Sequence, residues 1–158
     1  MTNVEPWPRD RFNPLKFTLL FWTLSLILNW THELFHLGTT ILFGGEAHVV
    51  ASLLIFATDI TVWPTQTWTH PIIVYAGGWG IAILAWWLWS QTIDEEWRIT
   101  LHAIGWAQFF YGTVEGTTWI LNRYDLVQWV GALALITGTI YALSKSKKMW
   151  TLNDPENT

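Results

Sequence analysis

The chain contains no cysteine. Disulfides, iron–sulfur clusters and thiolate zinc sites are all excluded, so any metal must be held by histidine, carboxylate or water. Charge is scarce as well: Asp, Glu, Lys and Arg make up 13% of the 158 residues, and the net charge of -4 is small and unclustered. Nothing in that balance points to nucleic acid as a partner. The amino-terminal stretch MTNVEPWPRDRFNPLK is polar and contains proline. It lacks the short apolar core and small-residue cleavage site of a secretory signal. Residues 1–16 therefore read as a cytoplasmic juxtamembrane arm, with Trp7 at the interface. No internal repeat or low-complexity segment is apparent.

What the chain has in abundance is apolar surface. Hydrophobic residues are 51% of the total, Trp alone occurs 14 times, and the mean hydropathy is +0.27. Tryptophan gathers at membrane–water interfaces, where its N–H is satisfied while its rings stay in apolar surroundings. The length fits one domain, and the composition predicts an integral membrane protein.

A spanning helix needs about 20 mostly apolar residues. Four stretches come close, at 17–43, 71–90, 100–121 and 126–143, and together they predict an α-helical, multi-pass membrane domain over 17–144. A polar tail, 145–158, follows. Between the first two spans lies HVVASLLIFATDITVWP, apolar but rich in β-branched residues and bracketed by Gly44-Gly45 and Pro64. Such flanks favour strand over helix. Charge bias agrees: Arg9, Arg11 and Lys16 precede the first span, and Lys145, Lys147 and Lys148 follow the last. The positive-inside rule places both termini in the cytoplasm, in this reading at the cell membrane, and requires an even number of crossings. Residues 46–64 are thus expected to form a membrane-associated β-like hairpin or re-entrant segment. Its edges must pack on the helices or line a watery cavity, because lipid cannot satisfy them.

Inside the first span stands His32-Glu33-Leu34-Phe35-His36. On a helix, residues i and i+4 share a face, so both imidazoles can bind one metal ion. Glu33 is turned from His32 by roughly 100° and can reach a metal-bound water rather than the metal. That arrangement serves metal-assisted hydrolysis, in which the metal acidifies its water and Glu33 takes and returns the proton. Ionisable groups within a span are costly and mark function by default. Three of them with no basic partner in the span call for a cation.

Catalytic zinc usually has three protein ligands and an open position. The histidines lie roughly 22–28 Å from the start of their span at 1.5 Å per residue. Glu115, about 15 residues into the third span, sits at similar depth. It is the expected third ligand, with Asp125, in the short loop near the same face, as runner-up. Asp59, His48 and His70 stay open, their placement depending on the hairpin. His102 falls near the opposite end and reads as a packing or interfacial histidine. The sequon Asn29-Trp30-Thr31 lies within a span, where it is inaccessible to glycosylation.

In these features the chain resembles the site-2 protease family of intramembrane zinc metalloproteases, especially its short members. The His-Glu-x-x-His motif is followed by small residues and Phe43-Gly44-Gly45, then a β-like stretch, then IIVYAGGWGIAILAWWL, similar to the family's Gly-rich helix. Val114-Glu115-Gly116 stands where the family usually has Leu-Asp-Gly, and the Asn and Pro that normally precede that aspartate are missing. The similarity covers about residues 20–120. It implies one zinc ion held by His32 and His36, Glu33 as general base, and hydrolysis of a peptide bond in a membrane-spanning substrate. The hairpin would then offer an edge for a substrate strand. Two other classes compete with this intramembrane metalloprotease. One is a non-catalytic membrane subunit or scaffold, for which high Trp content and small size suit packing in a homo-oligomer or membrane complex. The other is a membrane metal enzyme acting on lipid.

Overall fold

The structure, a computed structural model, describes residues 14–51, 56–123 and 126–152. Four helices and one hairpin follow each other in the order α1 (Pro14–Leu42), β1 (Glu46–Ala51), β2 (Phe56–Val62), α2 (Thr69–Gln91), α3 (Glu95–Ile120) and α4 (Val127–Leu152). The two strands pair antiparallel, with His48 opposite Asp59 and Val49 opposite Thr58. The arm at 1–13 and Asp125 lie outside the described residues.

Local chemistry sets the boundaries. Within the described residues α1 runs from Pro14. The helix ends in a left-handed Gly44 at φ 80°. Gly44 N–H donates to the Ile41 carbonyl (3.0 Å) and Gly45 N–H to that of Thr40 (2.9 Å), the paired bonds of a Schellman cap. A Cβ on Gly45 would press on the Thr40 side chain and the Val62 carbonyl, both at 2.7 Å. Only glycine lets the chain fold back so tightly, and the hairpin consequently runs beside α1. The third helix ends in the same way, with Asn122 in the left-handed position at φ 56° and Arg123 N–H reaching the Thr118 carbonyl at 2.8 Å.

Two helices overrun the apolar stretches that announced them. α3 begins at Glu95 rather than near residue 100 because Asp94 caps it, accepting the Trp97 N–H at 3.0 Å. Glu95 and Glu96 follow in the first turn, where carboxylates suit the helix dipole. α4 continues to Leu152, past the apolar limit at 143, because no Gly or Pro interrupts Ser144–Leu152. Hydropathy bounds the part fit for lipid, whereas backbone hydrogen bonding bounds the helix.

The Asp94 cap carries a prediction. The Trp97 N–H, and then Lys16, hold the Asp94 carboxyl below its ordinary range. Asp94→Ala should cost roughly 0.5–2 kcal/mol, as lost N-caps do. Because the folded-state pKa is depressed, this contribution is full above the unfolded value near 3.8 and fades as pH falls through the folded one. Thermal unfolding of wild type and variant at neutral and acid pH checks this, with the gap in Tm closing in acid.

Close approaches between small residues draw the helices together. Gly78 of α2 faces Gly112 of α3 so closely that a Cβ on Gly112 would sit 2.7 Å from the Gly78 Cα. Gly138 of α4 lies on Ala107 of α3, its own hypothetical Cβ 2.6 Å from the Ala107 Cα. Gly131 meets Tyr111, so α3 and α4 run antiparallel. Polar side chains join the pairs: Trp79 Nε1–H donates to Thr113 Oγ1 at 3.1 Å, and Tyr75 and Thr117 hydroxyls meet at 3.3 Å. At one end Lys16 Nζ bonds Glu96 Oε2 (3.1 Å) and Asp94 Oδ2 (3.4 Å), fixing the start of α1 beside the start of α3.

The core is apolar around Leu28, Ile81, Ala85 and Ile104, yet polar groups share the interior and large apolar side chains lie outside. His32, His36, Thr40, Thr69, Glu96 and Thr100 are buried, while Trp22, Leu26, Leu133 and Ile140 are 63–70% exposed. Among the described residues one helix, Thr69–Gln91, is long and apolar enough to cross a membrane, and Trp129–Ser144 is a shorter apolar stretch.

Candidate metal centre

Helical spacing puts His32 and His36 on one face of α1, and that face is turned inward. Their Nε2 atoms are 3.1 Å apart. Glu115, from α3, brings Oε2 to 3.1 Å from His32 Nε2 and 3.7 Å from His36 Nε2. The register follows from the tie at the helix starts. His36 is 20 residues beyond Lys16 and Glu115 is 19 beyond Glu96. Both arms are therefore about 29–30 Å long at 1.5 Å per residue, and the donors meet at one height.

The protonation pattern explains what this meeting needs. The His36 Nδ1–H donates to the Ile73 carbonyl at 2.7 Å, as metal-bound histidines commonly do. That bond turns Nε2 towards the other two groups. Glu115 Oε2 is buried and has no hydrogen-bond donor among the described residues. Three such atoms so close together need positive charge among them, a proton on an imidazole or a metal cation. A triangle with edges of 3.1, 3.1 and 3.7 Å has a circumscribed radius of about 1.9 Å, so one ion reaches all three atoms at ordinary zinc–ligand lengths of roughly 2.0–2.2 Å. Two imidazoles and one carboxylate also form a donor set that suits zinc.

α2 supplies the space. A Cβ on Gly77 would collide with His36 Nε2 and lie 2.5 Å from His32 Nε2. Gly77→Ala is expected to push the imidazoles apart, costing roughly 1–3 kcal/mol as overpacking does, and to weaken any binding of added zinc. Elemental analysis after incubation with zinc, beside a Tm measurement, checks it; uptake equal to that of wild type would show that the imidazoles tolerate the methyl.

Glu33 points elsewhere, into a cleft of about 510 Å³ whose walls include His36, Glu115, Thr58, Ile60, Ile73 and Trp119. Its Oε2 accepts the Thr58 N–H at 2.7 Å, and its backbone carbonyl accepts the Thr58 hydroxyl at 2.8 Å. The hairpin is thereby pinned to α1 at the glutamate of the motif. Trp63 and Trp119 also line the cleft, their ring centroids 4.9 Å apart.

The remaining candidates fall outside this group. His48 and Asp59 pair across the hairpin at 3.6 Å, both well exposed. His70 Nε2 lies 2.9 Å from the Pro64 carbonyl. His102 accepts the Trp106 indole N–H at 3.1 Å and packs on Trp89, a packing role at the other end of α3. Among the described residues, His32, His36 and Glu115 form the one group able to hold a metal ion. Sequence reasoning missed Gly77, the Ile73 carbonyl and Thr58. The glycine pair in AGGWG was a signal for the first; the others act through backbone groups that every residue possesses. No protein-family model, curated protein or solved structure matches the chain, so any function must be argued from this geometry.

Proposed function

We propose that the chain is a zinc-dependent intramembrane peptidase of the site-2 protease type. The observation that carries this reading is the convergence of His32, His36 and Glu115 beside a cleft into which Glu33 also opens. His32, His36 and Glu115 would hold the metal, which when bound supplies an acidified water and polarises the scissile carbonyl. Glu33, placed beside the ligands but bonded to none of them, accepts the proton of the attacking water and delivers it to the leaving amine. Ile73, through its carbonyl, keeps His36 in the tautomer that presents Nε2.

The substrate is read from the cleft. In an antiparallel pair a residue directs its N–H and C=O to the same side. Thr58 N–H points to α1, so Thr58 and, in phase with it, Ile60 turn their backbone groups away from β1 and towards the cleft. An extended peptide segment can add to that edge. Apolar walls from Ile73, Val74, Trp63 and Trp119 suit the side chains of a membrane segment.

The large apolar side chains on the outer surface support a membrane location. Outward Leu, Ile and Trp along α1 and α4 have their favourable environment in lipid, and small-residue helix contacts are those of membrane bundles. Four antiparallel helices would return both termini to one side, where Lys16 stands and where the last part of α4 carries Lys145, Lys147 and Lys148, the cytoplasmic side by the positive-inside rule. In cells the protein should remain with the membrane fraction after an alkaline carbonate wash; release into the supernatant would remove the membrane part of the reading. The catalytic part is tested by incubating the zinc-loaded protein with a leucine-rich transmembrane peptide containing a central Gly-Ala break. Cleavage should require both zinc and Glu33.

A further inference from the structure

Glu33 and the edge of β2 compete for one donor. The Thr58 N–H stands in the middle of the strand edge that faces the cleft, and Glu33 Oε2 occupies it at 2.7 Å. A segment adding to this edge must place a carbonyl where that carboxylate oxygen now sits, because an edge N–H accommodates one strong acceptor in line. The general base and the substrate backbone therefore cannot both hold Thr58 at once.

We propose that the Thr58 N–H is a shared donor: it holds the Glu33 carboxylate in the substrate-free protein and passes to a backbone carbonyl of an extended substrate segment, releasing Glu33 to the attacking water. The inference rests on the peptidase reading and adds a gate to it. Hydrogen bonds balance through the exchange. Thr58 trades a carboxylate for a carbonyl, and Glu33 trades an N–H for the O–H of water, so no buried group is left unpartnered. The second tie, from the Thr58 hydroxyl to the Glu33 carbonyl at 2.8 Å, does not involve the carboxylate. It keeps β2 against α1 while the exchange occurs. A segment that does not adopt an extended backbone at this edge leaves the base engaged, which restricts cleavage to strand-forming segments.

The test is amide hydrogen exchange at Thr58 in the full-length, zinc-loaded protein in detergent micelles, labelled with 15N-threonine and with Thr58→Ser to assign the signal. Two probes separate chelation from strand addition: acetohydroxamate, which binds zinc alone, and an apolar pentapeptide hydroxamate, which also presents an extended backbone. In wild type the Thr58 amide is slow throughout. In Glu33→Ala it should exchange about tenfold faster or more, remain fast with acetohydroxamate, and return to the wild-type rate with the pentapeptide. Unchanged exchange at Thr113 and Thr117, within α3, reports an intact fold; should they speed up, Glu33→Leu, which keeps the bulk, repeats the measurement. A Thr58 amide that stays fast in Glu33→Ala with the pentapeptide bound overturns the shared donor and reduces the contact to positioning, leaving the peptidase reading standing. A Thr58 amide already slow in the free variant overturns it as well. If neither hydroxamate binds, the metal site itself fails and the inference falls with it.

Discussion

If the proposed peptidase reading holds, Glu33→Gln should retain about one zinc per chain and cleave the transmembrane probe roughly 10²–10⁴-fold more slowly than wild type, the loss typical of a missing general base. The two side chains have the same shape, and the Gln carbonyl oxygen can still accept the Thr58 N–H that Glu33 accepts at 2.7 Å. The substitution thus leaves the fold and the three ligating atoms in place and removes only the capacity to take a proton. That separation makes it the sharpest measurement available. Wild-type cleavage by Glu33→Gln would falsify the peptidase assignment. An inactive wild type, with a variant indistinguishable from it in zinc content and stability, would favour a membrane subunit in which the site only holds helices together.

Glu115→Ala should strip the metal. It removes one of three donors and the carboxylate that offsets the ion's charge, so zinc affinity should fall by at least about 100-fold, the upper end of what loss of a supporting outer-shell contact costs. Elemental analysis after dialysis against a weak chelator reads this directly. Glu115→Asp is informative beside it. The edges of 3.1 and 3.7 Å from Glu115 Oε2 to the histidines are set by the reach of glutamate, and the close contact of Gly78 with Gly112 holds α3 against α2. The shorter side chain is expected to bind zinc more weakly than wild type even though aspartate is the residue usual in the family that the chain resembles. Asp125→Ala should leave zinc content unchanged; zinc lost there and retained in Glu115→Ala would transfer the third-ligand role to Asp125. Iron or copper at one per chain, in place of zinc, would turn the reading towards redox chemistry on lipid.

Much of the local architecture was legible in the residues themselves. Gly44-Gly45 and the β-branched run after it marked a hairpin, and the structure pairs Glu46–Ala51 with Phe56–Val62. The i, i+4 spacing of His32 and His36 placed their imidazoles together because helix geometry is a local property. Helix ends were less legible: Asp94 and the uninterrupted Ser144–Leu152 extend α3 and α4 beyond their apolar cores, and hydropathy does not report capping.

By itself, then, the sequence determined four helices, a hairpin, and a two-histidine face with an adjoining carboxylate, all of which depend on neighbours within a few positions. The tertiary structure decided which distant groups complete the site. Glu115 reaches the histidines because Lys16 binds Glu96 and Gly78 abuts Gly112, which together set the height and separation of α1, α2 and α3. The Ile73 carbonyl chooses the His36 tautomer and the Thr58 N–H holds Glu33. These last two are backbone groups, identical in nearly every residue, and only packing can single them out.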